Sequence, residues 1–330
     1  MPERAEQSPS PRSLLIAAFA AIYLLWGSAY LAIRFAIETM PPLLMAGLRF
    51  LIAGGFLYAF TRLRGAPRPT ATNWRAAAAV GGLLLGANGA VTWAEQWVPS
   101  GLAALLIATV PLWMVLLAWL RGGDRPSLAT AFGLLLGLAG IGLLVGPSNL
   151  LGGTRIDPFG ALALLLGALS WAAGSLYSRR APLPKTALLG TGMEMLVGGA
   201  ALFSAGLFRG EKLQLSAVSL RSGLAFGFLV VFGSIVAFTA YFWLLRVTSP
   251  ARASTYAYVN PVVAVFLGWA FAGEPVTGLT LFASALIVTA VAVIVMQQSR
   301  APKPAAITSP APEAPPATAP NARSGDASRT

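Results

Sequence analysis

Apolar stretches about as long as a bilayer is thick recur along this chain, and proline, glycine or arginine ends each one. Ten such stretches fall at residues 14–33, 42–60, 76–97, 100–120, 127–146, 158–178, 186–207, 221–245, 250–272 and 277–297. A run of about 20 apolar residues spans a bilayer as a helix, because only a helix or a closed barrel satisfies its own backbone in lipid. The pattern predicts an all-α polytopic membrane protein with ten spans. The first span follows Arg4 and Arg12 and resembles a secretory signal. Its apolar run of about 20 residues exceeds the 7–15 of a signal core, and nine spans follow, so it is read as a retained helix. Residues 1–12 are a polar leader, and residues 299–330, rich in Pro, Ala, Ser and Thr, are read as a disordered tail.

The apolar pattern also repeats. Pro111-Leu112-Trp113 through Trp119 returns as Pro261-Val262-Val263 through Trp269, a spacing of 150 residues. Earlier positions align at a spacing of 145: Trp26 with Trp171, Arg34 with Arg179, Arg49 with Glu194, Gly54 with Gly199. The predicted domains are therefore two five-span repeats, 13–147 and 158–298. An odd number of spans per repeat makes the second copy enter the membrane from the opposite side. Inverted repeats are a mark of secondary transporters, whose substrate site lies where the halves meet.

Composition supports this class. The chain is 56% hydrophobic and 10% charged, against about 25% charged in an ordinary soluble domain. The net charge of +12 follows the loops. With the N-terminus inside, 17 basic residues fall on the inner side and 5 on the outer, with Arg49 within a span. That bias predicts cytoplasmic N- and C-termini, and it explains the charge without nucleic acid. The absence of cysteine and histidine removes thiolate chemistry, the usual proton shuttle and the usual metal ligands. No phosphate-cradling Gly-x-x-x-x-Gly-Lys-Ser/Thr sequence occurs. No cofactor or metal is expected, and polar residues are too sparse for an intramembrane enzyme.

Several motifs carry a family resemblance. They are Leu24-Leu25-Trp26-Gly27-Ser28-Ala29-Tyr30, Pro41-Pro42 with Ala46-Gly47-Leu48-Arg49-Phe50, and Ala94-Glu95-Gln96-Trp97-Val98-Pro99-Ser100-Gly101. Ala108-Thr109-Val110-Pro111, Ser170-Trp171-Ala172-Ala173-Gly174 and Tyr256-Ala257-Tyr258-Val259-Asn260-Pro261 continue the set. Over roughly residues 14–297 the chain resembles the drug/metabolite transporter superfamily, and within it the ten-span EamA family and its inner-membrane exporters. The resemblance implies a substrate cavity between the halves and transport driven by protons or by exchange. The family moves amino acids, sugars, nucleosides, amines and toxic compounds, so it does not name a substrate.

Some polar residues within the spans are site candidates. Arg49 sits in span 2, where a cation costs at least about 2.5–3.5 kcal/mol and needs a partner. It suits a carboxylate or phosphate on a substrate, or a structural ion pair. Glu194, its repeat mate, is a proton-coupling candidate, and pairing with Arg49 is the alternative. Glu95 is a second coupling candidate, with solvation at the membrane surface as the plainer reading. Asn88 and Trp93 in span 3, with Tyr256, Tyr258 and Asn260 in span 9, are expected to contact substrate, with a bridge between helices as the alternative for Asn88. Asn260 also stands where it could satisfy the helix loosened by Pro261. Pro111 and Pro261 are expected to kink their spans as hinges. Trp26 and Trp171 either cap a cavity or anchor the protein at the membrane surface. Gly82/Gly86, Gly133/Gly137, Gly142/Gly146 and Gly223/Gly227 are read as helix-packing pairs.

The expectation is a secondary active exporter of small metabolites or drugs in the bacterial inner membrane, working by alternating access. Its partners are a small-molecule substrate, membrane lipids and protons as the coupling ion. A homodimer is compatible with the sequence. An importer or exchanger fits the same residues; a sensor or channel fits them less well, because neither an output domain nor a charged filter is seen.

Overall fold

Local chemistry sets the helix ends. The computed structural model describes residues 12–122, 125–145, 157–247 and 255–300. Helix α1 runs Arg12–Ala36. Pro42, with its preset backbone angle, opens α2 (Pro42–Leu63). Thr70 and Asn73 form a reciprocal capping box at the start of α3 (Ala71–Ala94), with bonds of 2.9 and 3.2 Å. Span 4 is two helices, α4 (Ser100–Ile107) and α5 (Val110–Leu120), and α6 covers Leu128–Val145.

The second half repeats these devices. Asp157 caps α7 (Pro158–Ser178) by accepting from the Gly160 amide at 2.7 Å. Helix α8 runs Ala187–Phe208. Ser219 caps α9 (Leu220–Phe228), which continues through a π-helical stretch, Leu229–Val236, into α10 (Ala237–Val247). Helices α11 (Tyr256–Ala272) and α12 (Gly278–Arg300) complete the chain. Gly65 and Gly210, repeat mates 145 residues apart, take positive φ (84° and 78°) just past α2 and α8, where a side chain would be strained.

Burial is inverted relative to a soluble protein. Leu128, Phe159 and Phe208 are exposed, while Arg49, Glu95, Glu194 and Asn260 are buried. Among the described residues, eight segments are long and apolar enough to cross a bilayer, and the shorter apolar helices Leu128–Leu143 and Val259–Ala272 accompany them. The described residues contain no strand. The fold is an all-α polytopic membrane protein.

The halves meet along a glycine seam between α2 and α8, the most extensively packed pair of helices. A methyl group on Gly54 would stand 2.8 Å from the Gly192 carbonyl oxygen. One on Gly199 would stand 3.0 Å from the Gly47 carbonyl oxygen. These two contacts are images of each other, since Gly47 and Gly54 have Gly192 and Gly199 as mates at the 145-residue spacing. An antiparallel seam whose contacts interchange under the repeat is the signature of an in-plane two-fold axis. The remaining packing follows the same exchange: α1 lies against α11 and the α9–α10 span, and α7 lies against α4–α5 and α3.

Two sequence expectations need revision. The predicted span 3 ends near 97, whereas α3 ends at Ala94, which puts Glu95 in a turn. The span at Ser100–Leu120 is one apolar crossing as expected, and its helix breaks at Ala108–Thr109 because Pro111 offers no N–H to the Ile107 carbonyl and starts a new helix instead. Of the Gly-x-x-x-Gly pairs, Gly82/Gly86 and Gly223/Gly227 face open space, as does Gly142. Gly146 and the start of predicted span 9, residues 250–254, lie outside the described residues. Gly133 and Gly137 do pack, on α12 and Leu112. The glycines that join the halves are seven apart, two helical turns, rather than four.

Candidate functional site

The π-helical stretch of span 8 shapes the centre of the molecule. A π-turn holds an extra residue and breaks the regular hydrogen-bond ladder, leaving carbonyls free for other donors. The Gly233 carbonyl accepts from the Trp26 indole nitrogen at 3.1 Å. The next residue, Ser234, accepts from Arg49 Nε at 2.8 Å. Arg49 is 3% exposed, and its guanidinium lies 4.7 Å from the centre of the Phe50 ring. A methyl group on Gly233 would stand 3.2 Å from Arg49 Nη2, so the glycine leaves the guanidinium its room. The ion pair found among the described residues is a half-exposed one, Arg221 with Glu38 at 3.2 Å. Arg49 is thus a buried cation held by a hydroxyl and a ring face, with no carboxylate in salt-bridge contact.

Aromatic side chains gather beside it. Trp26 lies 5.0 Å from Tyr256, 5.2 Å from Phe238 and 5.3 Å from Tyr241, ring centre to ring centre. Trp171, the repeat mate of Trp26, acts on the Tyr256 hydroxyl from α7. The two tryptophans are therefore not surface anchors. They converge on one tyrosine from α1 and α7, one from each half. Gly27 lets α11 approach, since a methyl group there would stand 2.7 Å from Val263 Cβ and 3.4 Å from the Asn260 carbonyl oxygen. Asn260 is buried, and its Oδ1 has no hydrogen-bond partner. The Tyr258 side chain lies outside the described residues.

Arg49 and Glu194 do not form an ion pair. The two-fold axis passes between α2 and α8, so repeat mates fall on opposite sides of it. Arg49 turns to span 8 of the other half. Glu194 packs its backbone on Gly81 of α3, where a methyl group would stand 2.5 Å from the Glu194 carbonyl oxygen. Each therefore faces the third span of the opposite repeat. The Glu194 side chain is 7% exposed, and no hydrogen bond or ion pair among the described residues reaches its carboxyl. Asn88 turns back on its own helix, its amide donating to the Leu84 carbonyl at 3.2 Å. Trp93 stands against Trp97 at 4.7 Å, with the Arg209 guanidinium 5.7 Å from its ring.

Glu95 is buried rather than solvated. It is fully shielded, and neither carboxyl oxygen has a partner. Its backbone carbonyl accepts from Arg34 Nη1 at 2.7 Å. Burial, reinforced by the nearby Glu274, holds this carboxyl well above its ordinary range, and Arg34 and Arg49 pull partly the other way. Pro111 is the second residue of α5, just past the break in span 4, and Pro261 lies inside a continuous α11.

Ser234, Gly233, Tyr241 and Glu274 are absent from the sequence-derived site. Gly233-Ser234 does interrupt a long apolar run, and that small-polar break was the available signal. Glu274 stands five residues past the repeated segment that ends at Trp269.

Among the described residues, eight bilayer-length apolar segments and two shorter apolar helices, in inverted halves with a buried polar centre between them, define a polytopic membrane protein of the inverted-repeat kind. The EamA-like transporter family matches residues 13–146 and 158–296, and the chain belongs to that family. It is 45% identical over 284 residues to the uncharacterized inner membrane transporter YedA of Escherichia coli K12, covering 86% of this chain and 90% of that one. It is 27% identical to the uncharacterized transporter YvbV of Bacillus subtilis, over 92% of this chain and 97% of that one. A protein crystal structure superposes with a TM-score of 0.61 at 26% identity, covering 88% of this chain and 99% of that chain.

Proposed function

We propose that this protein is a secondary active exporter of small metabolites or drugs in the bacterial inner membrane, with both termini cytoplasmic. The two five-helix repeats rock about the α2–α8 seam and expose the central site to each side in turn. The observation that carries this reading is Arg49. A cation buried among apolar helices with no carboxylate in salt-bridge contact is costly unless something it binds repays the cost. Arg49 is the residue we assign to an anionic group of the substrate, a carboxylate or phosphate, while Trp26, Tyr256 and Asn260 line the adjoining aromatic face. Glu194 and Glu95 are the coupling carboxylates in a chain without histidine. The inner-membrane placement and the transporter class draw support from the YedA relative and its name.

The test begins with a thermal-shift screen of metabolites and drugs on the purified protein. Hits are then assayed in everted vesicles. Arg49→Ala should abolish the shift caused by anionic ligands, and Glu194→Gln should remove the proton dependence of uptake. Normal binding and transport by Arg49→Ala would sink the assignment of the substrate site.

A further inference from the structure

Two glutamates clasp helices of the opposite half, and both clasps are built alike. Gly210 takes a positive φ past α8, and the Glu211 amide returns to the Gly206 carbonyl at 3.0 Å. The Glu211 carboxylate then accepts from the Leu43 and Leu44 amides at the start of α2, at 3.3 and 2.9 Å. Gly273 (φ 64°) does the same past α11, and the Glu274 amide returns to the Gly268 carbonyl at 3.1 Å. The Glu274 carboxylate accepts from the Ser100 and Gly101 amides at the start of α4, at 2.7 and 3.0 Å. Those amides have no partner within the helix, and the N-terminal dipole favours an anion there. A methyl group on Gly268 would stand 2.8 Å from Glu274 Cδ, so the glycine makes the slot that holds the carboxylate.

The second clasp has a neighbour that sets it apart. Glu95 lies five residues before Ser100, in the turn that leads into α4. Its carboxyl is fully buried with both oxygens unbonded, and the Ser100 hydroxyl is buried and unbonded as well. The charged and titratable groups that act on Glu95 come from every side: Glu274 past α11, Arg34 and Tyr30 on α1, and Arg49 on α2. A second negative charge at this place opposes the first in a poorly solvated setting.

We propose that Glu274 is a latch that holds this end of the bundle shut, and that Glu95 operates it by gaining and losing a proton. With Glu95 protonated, one negative charge sits at the end of α4 and the latch stays closed. When Glu95 gives up its proton, the two carboxylates repel, Glu274 leaves the Ser100 and Gly101 amides, and the ends of α4 and α11 part. In the orientation set by the basic loops this is the outer end. Protons arriving from outside then close the latch, the order an antiporter needs. The latch rests on the alternating-access reading above.

The chain has no cysteine, so spin labels can be placed at will. Gln96→Cys and Phe271→Cys put labels at exposed positions beside α4 and at the end of α11. Pulsed dipolar EPR in liposomes should show a short distance at pH 5.5. At pH 8.5 a second population should appear, longer by roughly one helical turn, about 5 Å. Glu95→Gln should keep the short distance at both pH values, and Glu274→Gln should show the long one at both. Identical distributions at the two pH values in the unmutated background would overturn the latch without recourse to either variant. So would a Glu274→Gln protein that stays short. If the distances stay fixed while vesicles still move a solute against a proton gradient, the latch fails and the transporter reading stands. Distances that switch with pH in a protein that moves none of the screened solutes support the latch and count against transport.

Discussion

Arg49 shows how much one residue depends on the backbone around it. Its Nε bond to Ser234 is available because a π-turn places the hydroxyl there. Ser234→Ala should leave a buried N–H unsatisfied and cost about 1–3 kcal/mol of stability, read as a lower melting temperature in detergent. Ser234→Thr keeps the hydroxyl and should recover much of the loss. Glu95 gives a pH signature. Its carboxyl is held above the ordinary value of 4.5, so the native protein takes up the proton more readily than the unfolded chain does. The resulting stabilisation is complete below that value and is lost as pH rises through the native one. Thermal stability should therefore fall as pH is raised from 5 to 9, and Glu95→Gln should flatten the profile. A parent protein with a flat profile would contradict the buried, unpaired carboxyl.

At the scale of elements, the α2–α8 seam depends on four glycines. Gly54→Ala or Gly192→Ala would force two backbones apart, and overpacking of this kind costs about 1–3 kcal/mol. The mates Gly47 and Gly199 should behave alike, whereas Gly82→Ala and Gly86→Ala, which face open space, should be close to neutral. Unfolding in denaturing detergent, followed by loss of helical signal, separates the two groups. The helices themselves were legible in the sequence, since span length, Pro42 and Pro158 mark their starts. The seam was not, because a spacing of seven with no polar residue looks like any apolar stretch. The π-turn was hidden for a related reason: Phe228 through Val236 has the composition of an ordinary helix, and its irregularity is set by the partners Trp26 and Arg49.

At the scale of the whole molecule, the repeat in the sequence foretold the symmetry, and the basic loops predict its direction. A reporter fused after residue 297 should register on the cytoplasmic side, and an external signal would reverse the assignment of inner and outer ends. The polar centre was only half legible. Single residues such as Arg49 and Asn260 stand out in apolar runs, but which of them meet depends on how the halves lie across the axis. Sequence alignment set Arg49 opposite Glu194 as mates. The same symmetry that makes them mates also keeps them apart.

The glycine seam has one further consequence. Its two contacts interchange under the repeat, so a rocking motion that swaps the conformations of the halves leaves the seam as it was. In the proposed cycle the seam then adds nothing to the free-energy difference between the two poses. Whatever resting preference the protein has must come from positions where the copies diverge, chiefly Arg49 against Glu194. A ligand or a proton that favours one pose has to work against that divergence alone. Exchanging a single unlike pair of mates is therefore the most economical way to reset which side of the membrane the empty protein faces.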